Sequence, residues 1–130
     1  LGQRLAAQYD AYMPIEGQNV NGSLTLGENI GDLAGAAIGY KAYMMSLNGK
    51  DAPVIDGLTG AQRLFMGFAQ VWRGKYRDDA LRAQMLSDPH SPSEYRTNGP
   101  VINIDAFHEA FNTKEGDGMY LKPEDRIHIW

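Results

Sequence analysis

Leu24 to Gly35 reads LTLGENIGDLAG, and the organisation of the whole chain turns on it. Glu28 and Asp32 stand four residues apart. Beyond them Ile30, Leu33, Ala34, Ala37, Ile38, Ala42, Met44 and Met45 make a stretch that is apolar most of the way round a helix. Such a helix is buried. The spacing predicts one long helix to about Leu47. It opens at Thr25, whose hydroxyl and the Glu28 carboxylate form a capping box. Gly31, Gly35, Ala36 and Gly39 permit close approach by neighbours, at up to ~1 kcal/mol of helix propensity for each interior glycine.

On that helix the Cβ atoms of Glu28 and Asp32 lie roughly 5–6 Å apart on one face. Like charges at this spacing repel, and burying both is costly unless a cation, a donor or a metal compensates. Two readings are open from the pattern alone. Either Glu28 completes the cap and Asp32 lies at the water-facing edge, or the pair belongs to a functional site.

Towards the N-terminus, Leu1, Leu5, Ala6, Tyr9 and Tyr12 mark one face of a helix, and Met13 to Ser23 is a loop rich in turn-forming residues. Towards the C-terminus, Asn48 to Leu58 is a loop, and Thr59 with Gln62 forms a second capping box. That box opens a helix over Gly60 to Tyr76 with Leu64, Phe65, Phe68, Val71 and Trp72 along one face. Arg77 to Ser87 is a short helix with Asp78 and Asp79 at its positive end, stopped by Asp88-Pro89. Pro89 to Ile102 holds three prolines and reads as an ordered, irregular loop. Asp105 to Phe111 makes a short helix with Asp105 at or near its N-cap. After the turn-rich Asn112 to Gly118, Met119 to Leu121 and Ile127 to Trp130 are short apolar tails of extended character around Pro123. The fold class is mainly α: three or four principal helices with irregular loops around one core.

The 130 residues suit one domain, with 43% hydrophobic and 22% charged residues. No apolar run approaches the ~18 residues of a membrane helix, so this segment is expected to make no membrane contact. A net charge of -4 argues against nucleic acid as a partner. Absence of cysteine excludes disulfides, thiolate zinc sites and thiol nucleophiles. The chain begins at Leu1 rather than Met, which suggests a piece of something longer.

Three histidines are present, His90, His108 and His128. His108-Glu109-Ala110-Phe111-Asn112 begins like the helical zinc motif H-E-x-x-H but ends in asparagine, and is read as coincidence. His90 and Arg96 lie six apart and could donate to a developing oxyanion and a substrate carbonyl. They could equally hold a loop through surface hydrogen bonds. Val71 and Trp72, at helical spacing with other large residues, read as core.

Taken together, VNGSLTLGENIGDLAG, FAQVWRGKYR, SDPHSPSEYRTNGPV, FHEAF and the terminal P-E-x-x-x-x-x-W resemble the C-terminal part of the neprilysin-like (PepO-type) zinc metalloendopeptidases. The resemblance spans nearly the whole chain. It implies a portion of a gluzincin-type catalytic domain over residues 1–130, with Glu28 as the third protein ligand of a catalytic zinc. Asp32 would orient a zinc-binding histidine. His90 would stabilise the transition state, Arg96 would anchor substrate, and Val71 and Trp72 would line the pocket for the residue after the scissile bond, favouring hydrophobic side chains there. Gly31 and Ala34 stand where the family commonly has alanine and glycine, which leaves the ligands untouched. Arg73, Asn112 and Ile127 stand where animal members carry cysteine, which points to a bacterial member.

No H-E-x-x-H occurs in this chain, and the resemblance implies that the two histidine ligands and the general-base glutamate lie upstream, in a longer parent. The implied partners are a peptide substrate and the remainder of the catalytic domain, in an extracytoplasmic compartment. The segment alone is expected to be inactive and, with its cleft face uncovered, to self-associate. The competing expectation is a helical binding or scaffold module without catalysis.

Overall fold

A computed structural model describes residues 1–129 and places six α-helices among them. These are α1 (Gly2–Asp10), α2 (Gly22–Ser46), α3 (Gly60–Val71), α4 (Asp78–Ser87), α5 (Ser93–Val101) and α6 (Asp105–Phe111), followed by a 3₁₀ turn at Pro123–Asp125. The mainly helical expectation holds, and the described residues contain no β-strand beyond isolated bridges at Ile15 with Gln18 and Ile55 with Leu58. The 3₁₀ turn lies between the two apolar tails expected to be extended, Met119 to Leu121 and Ile127 onward, and neither forms a strand among the described residues. Trp130, the last residue of the P-E-x-x-x-x-x-W match, lies outside the described residues.

The long helix α2 is the spine, packed against α1 on one side and α5 on another. Its start differs from the expected Thr25–Glu28 capping box. Asn21 is the N-cap, its side chain accepting from the Leu24 N–H at 2.9 Å. Asparagine is among the strongest caps, and it lies four residues upstream of Thr25. Thr25 is therefore inside the helix, its hydroxyl donating to the Asn21 carbonyl at 3.0 Å. The second capping box, Thr59 with Gln62, is present with both of its bonds. Helix α3 ends at Val71, five residues short of Tyr76. No apolar side chain after Trp72 is buried before Met85, so nothing sustains that face further.

The stretch expected to be an irregular loop contains α5. Its prolines frame the helix rather than prevent it. Pro92 occupies the N-cap position with φ -55°, and Pro100 lies in the last turn. Pro89 precedes the helix altogether. Asp105 is the first residue of α6, with Ile104 as its cap.

The core gathers Leu5 and Tyr9 from α1, Leu33 from α2, Phe65 from α3, Val101 from α5 and Phe107 from α6. His108 belongs to this interior. Its Nε2 donates to the Ile102 carbonyl at 2.8 Å, and Nδ1 faces the Thr113 hydroxyl at 2.5 Å, so the near-miss motif is a satisfied buried histidine. No described helix is long and apolar enough to cross a membrane.

Candidate functional site

Helix α2 delivers Glu28, Asn29 and Asp32 within little more than one turn, and they diverge because successive residues rotate about 100° around the axis. Asn29 is fully buried, Asp32 is nearly so, and the Glu28 side chain remains 44% exposed. Across from them α5 and the connection that leads into it supply Arg96 and His90.

Arg96 is the hub. Its Nε donates to Asp32 Oδ2 at 2.6 Å and its Nη2 to Asp32 Oδ1 at 2.8 Å, a two-point grip that only a guanidinium can make. The same Nη2 reaches Glu28 Oε2 at 3.5 Å. The guanidinium carbon sits 4.0 Å from the centre of the Trp72 ring, so the cation also rests on an aromatic face. Hydrogen bonding to Asp32 holds the Arg96 pKa above its ordinary value, outweighing the opposing effect of burial.

His90 faces a carboxylate at each ring nitrogen. Nδ1 lies 2.7 Å from Asp88 Oδ1 and Nε2 lies 3.1 Å from Glu28 Oε2. Carboxylates accept only, so a ring protonated at both nitrogens satisfies both contacts. Asp88 Oδ1 also accepts the His90 backbone N–H at 2.9 Å. That backbone bond, then the ring bond, pulls the Asp88 carboxyl below the usual carboxylate range.

Four of the residues singled out from sequence, Glu28, Asp32, His90 and Arg96, therefore meet in one cluster, and Trp72 backs it. Trp72 is not simply core: it caps α3 at its C-terminal end and keeps Nε1 buried without a partner. Val71 is 72% exposed and joins none of these bonds, so the expectation that it packs in the core is corrected. No group of three His, Cys, Asp or Glu side chains among the described residues could hold a metal ion. The chemistry of Glu28 fits one oxygen donor to a zinc: its carboxylate is 44% exposed, unlike that of Asp32 at 10%.

The sequence model of Peptidase family M13 matches residues 2–127. The chain belongs to that family. Among M13 relatives it is 37% identical to Neprilysin-3 of Drosophila melanogaster over 130 residues, covering 97% of this chain and 16% of the relative. Among solved structures it is similar to the zinc metalloprotease Zmp1 of Mycobacterium tuberculosis in complex with an inhibitor, with a TM-score of 0.97 at 50% identity, covering 99% of this chain and 20% of that one. It is also similar to PepO from Lactobacillus rhamnosis, with a TM-score of 0.77 at 34% identity, covering 99% of this chain and 19% of that one. The M13 chain thus spans about a fifth or less of the length of these relatives.

Sequence reasoning missed Asp88 in this cluster, having read it only as a helix stop before Pro89. Its position two residues before His90 is the signal: an aspartate there can take the backbone N–H and the ring together.

Proposed function

We propose that this chain is one wall of the active site of a zinc metalloendopeptidase. It would supply one zinc ligand and the groups that hold substrate and stabilise charge, while the upstream remainder of the domain supplies the H-E-x-x-H half. The observation that carries this reading is the convergence of His90 and Arg96 on the accessible Glu28 carboxylate.

Glu28 would hold the zinc together with two histidines from the remainder of the domain. When bound, zinc supplies Lewis acidity towards a scissile carbonyl and makes water a competent nucleophile near neutral pH. With Glu28 engaged, His90 Nε2 is released from its carboxylate partner and can donate to an oxyanion, while Asp88 keeps Nδ1 protonated and the ring oriented. Arg96, held by Asp32 and Trp72, presents its remaining N–H groups to a substrate carbonyl and sets the peptide's register. Asp32 keeps lone-pair capacity beyond its two bonds to Arg96 and can orient a zinc-bound histidine through that ring's other N–H. Exposed Val71, next to Trp72, suits the wall of a pocket for a hydrophobic residue after the scissile bond.

The setting proposed for the whole protein is extracytoplasmic. The 130-residue chain alone should hold zinc only weakly, cleave nothing and self-associate through surfaces such as Ile38, Met45 and Val71, which are 56%, 70% and 72% exposed. The test is Glu28→Gln in the full-length protein, followed by zinc content and cleavage of a peptide with a hydrophobic residue after the scissile bond. Loss of both with the fold intact supports the reading. Retained zinc and activity, or an upstream sequence without H-E-x-x-H, sinks it in favour of a helical binding module.

A further inference from the structure

His90 stands on the short connection between α4 and α5 with its side chain 42% exposed, yet a donor to a developing charge must be held to within about 0.5 Å. Asp88 fixes the ring relative to its own loop and does not tie that loop to α2. Besides the His90–Glu28 contact itself, which is given up if Glu28 is engaged elsewhere, the tie comes from the next residue. Ser91 Oγ donates to Asn29 Oδ1 at 2.8 Å, Asn29 Nδ2 donates to Thr25 Oγ1 at 2.9 Å, and Thr25 Oγ1 donates to the Asn21 carbonyl at 3.0 Å. Ser91, Asn29 and Thr25 are 1%, 0% and 4% exposed.

The chain has one direction. A carbonyl only accepts, so the Thr25 hydroxyl must donate to Asn21 and accept from the amide nitrogen of Asn29. The Asn29 oxygen then faces Ser91, which must donate. Each polar atom of these side chains has a partner, and the network is anchored at the N-cap of the helix that carries Glu28. Asn29 follows Glu28 directly, so the residue after His90 is bonded to the residue after Glu28.

We propose that Asn29 and Ser91 are positioning residues for His90, a dry hydrogen-bonded lock that sets the height of the histidine loop above α2. The inference rests on the reading of His90 as an oxyanion donor. Without the Ser91 hydroxyl the Asn29 oxygen is stranded in a dry interior, and the loop resettles to relieve it. A displacement on the order of 1 Å is enough to cost about a hundredfold in rate. Arg96 is held separately by Asp32 and Trp72, so substrate binding is spared.

The experiment is a double-mutant cycle in the full-length protein with Ser91→Ala, His90→Ala and both together, scored by kcat, KM and thermal melting on a hydrophobic peptide. The expected result is a fall in kcat of about tenfold or more for Ser91→Ala, with KM changed less than about twofold, and recovery in Ser91→Thr, which restores the hydroxyl. In the His90→Ala background the same substitution should cost less than about twofold. Equal losses in both backgrounds, or no loss of kcat in folded Ser91→Ala, overturn the lock while leaving the reading of His90 in place. If His90→Ala leaves kcat unchanged, that reading falls and the lock with it. Where Ser91→Ala does not fold, Thr25→Val breaks the same network at its far end and must show the same dependence on His90.

Discussion

Arg96 and Asp32 form a two-point ion pair with their side chains only 13% and 10% exposed, and Trp72 closes over the guanidinium. Removing one partner leaves the other charge in a nearly dry setting. Asp32→Ala should destabilise the fold by about 3 kcal/mol, read as a lower urea midpoint at neutral pH. Arg96→Lys should recover little of this pair, because an ammonium cannot reproduce the fork.

His90 and Asp88 give a kinetic prediction. His90→Ala in the full-length protein should lower kcat by about 10²–10³ with a smaller change in KM. Asp88→Asn, which keeps the shape but removes the negative charge beside Nδ1, should lower kcat in the same direction. Steady-state kinetics on one peptide checks both, and an unchanged kcat in either variant counts against the proposed roles.

Two glycines of α2 should respond oppositely to alanine. A Cβ on Gly22 would run into the Ala6 carbonyl of α1, a backbone atom that cannot swing away, whereas a Cβ on Gly35 meets nothing within 4 Å. Gly22→Ala should cost about 1–3 kcal/mol by forcing α1 from α2. Gly35→Ala should stabilise the 130-residue chain by up to ~1 kcal/mol through helix propensity alone. Thermal melting of the pair decides it.

Alkaline pH should unfold the seam between α1 and α5. Tyr9 donates to the Tyr95 carbonyl at 3.1 Å, and Tyr12 stacks on Tyr95 with ring centres 4.4 Å apart. Burial raises the pKa of all three hydroxyls, most strongly at Tyr9. A raised folded-state pKa means that the stability is complete below the ordinary tyrosine value of about 10 and is lost as pH climbs beyond it. Helical circular dichroism should hold to about that point and then collapse together with a cooperative rise in tyrosinate absorbance. Ionisation of Tyr9 near pH 10 with the helices intact, read as the part of the absorbance change that Tyr9→Phe removes, would contradict this.

Much of this was legible in the sequence for physical reasons. Glu28 and Asp32 four apart on an apolar helix had to find compensation, and they found it in Arg96 and His90. Thr59 with Gln62 declared a helix start because both halves of that box are local. Thr25 with Glu28 offered the same letters, but Asn21 captured the cap first and released the Thr25 hydroxyl for the buried network. Helix α5 was hidden by its prolines, since composition does not distinguish a proline at a helix boundary from one that breaks it. Val71 and Trp72 shared a periodicity with Phe65 and Phe68, yet α3 ends there, leaving Val71 exposed while Trp72 packs on Arg96.

Helix α2 assigns consecutive positions to separate tasks: Glu28 to the open side, Asn29 to the histidine loop and Asp32 to the arginine. One residue inserted after Glu28 would turn the following two by about 100° and send both to the wrong partners. By this geometry an insertion is accommodated in a stretch such as Asn48 to Leu58, which lies outside every described helix, and not between Asn21 and Asp32, where the count of residues sets which partner each side chain meets.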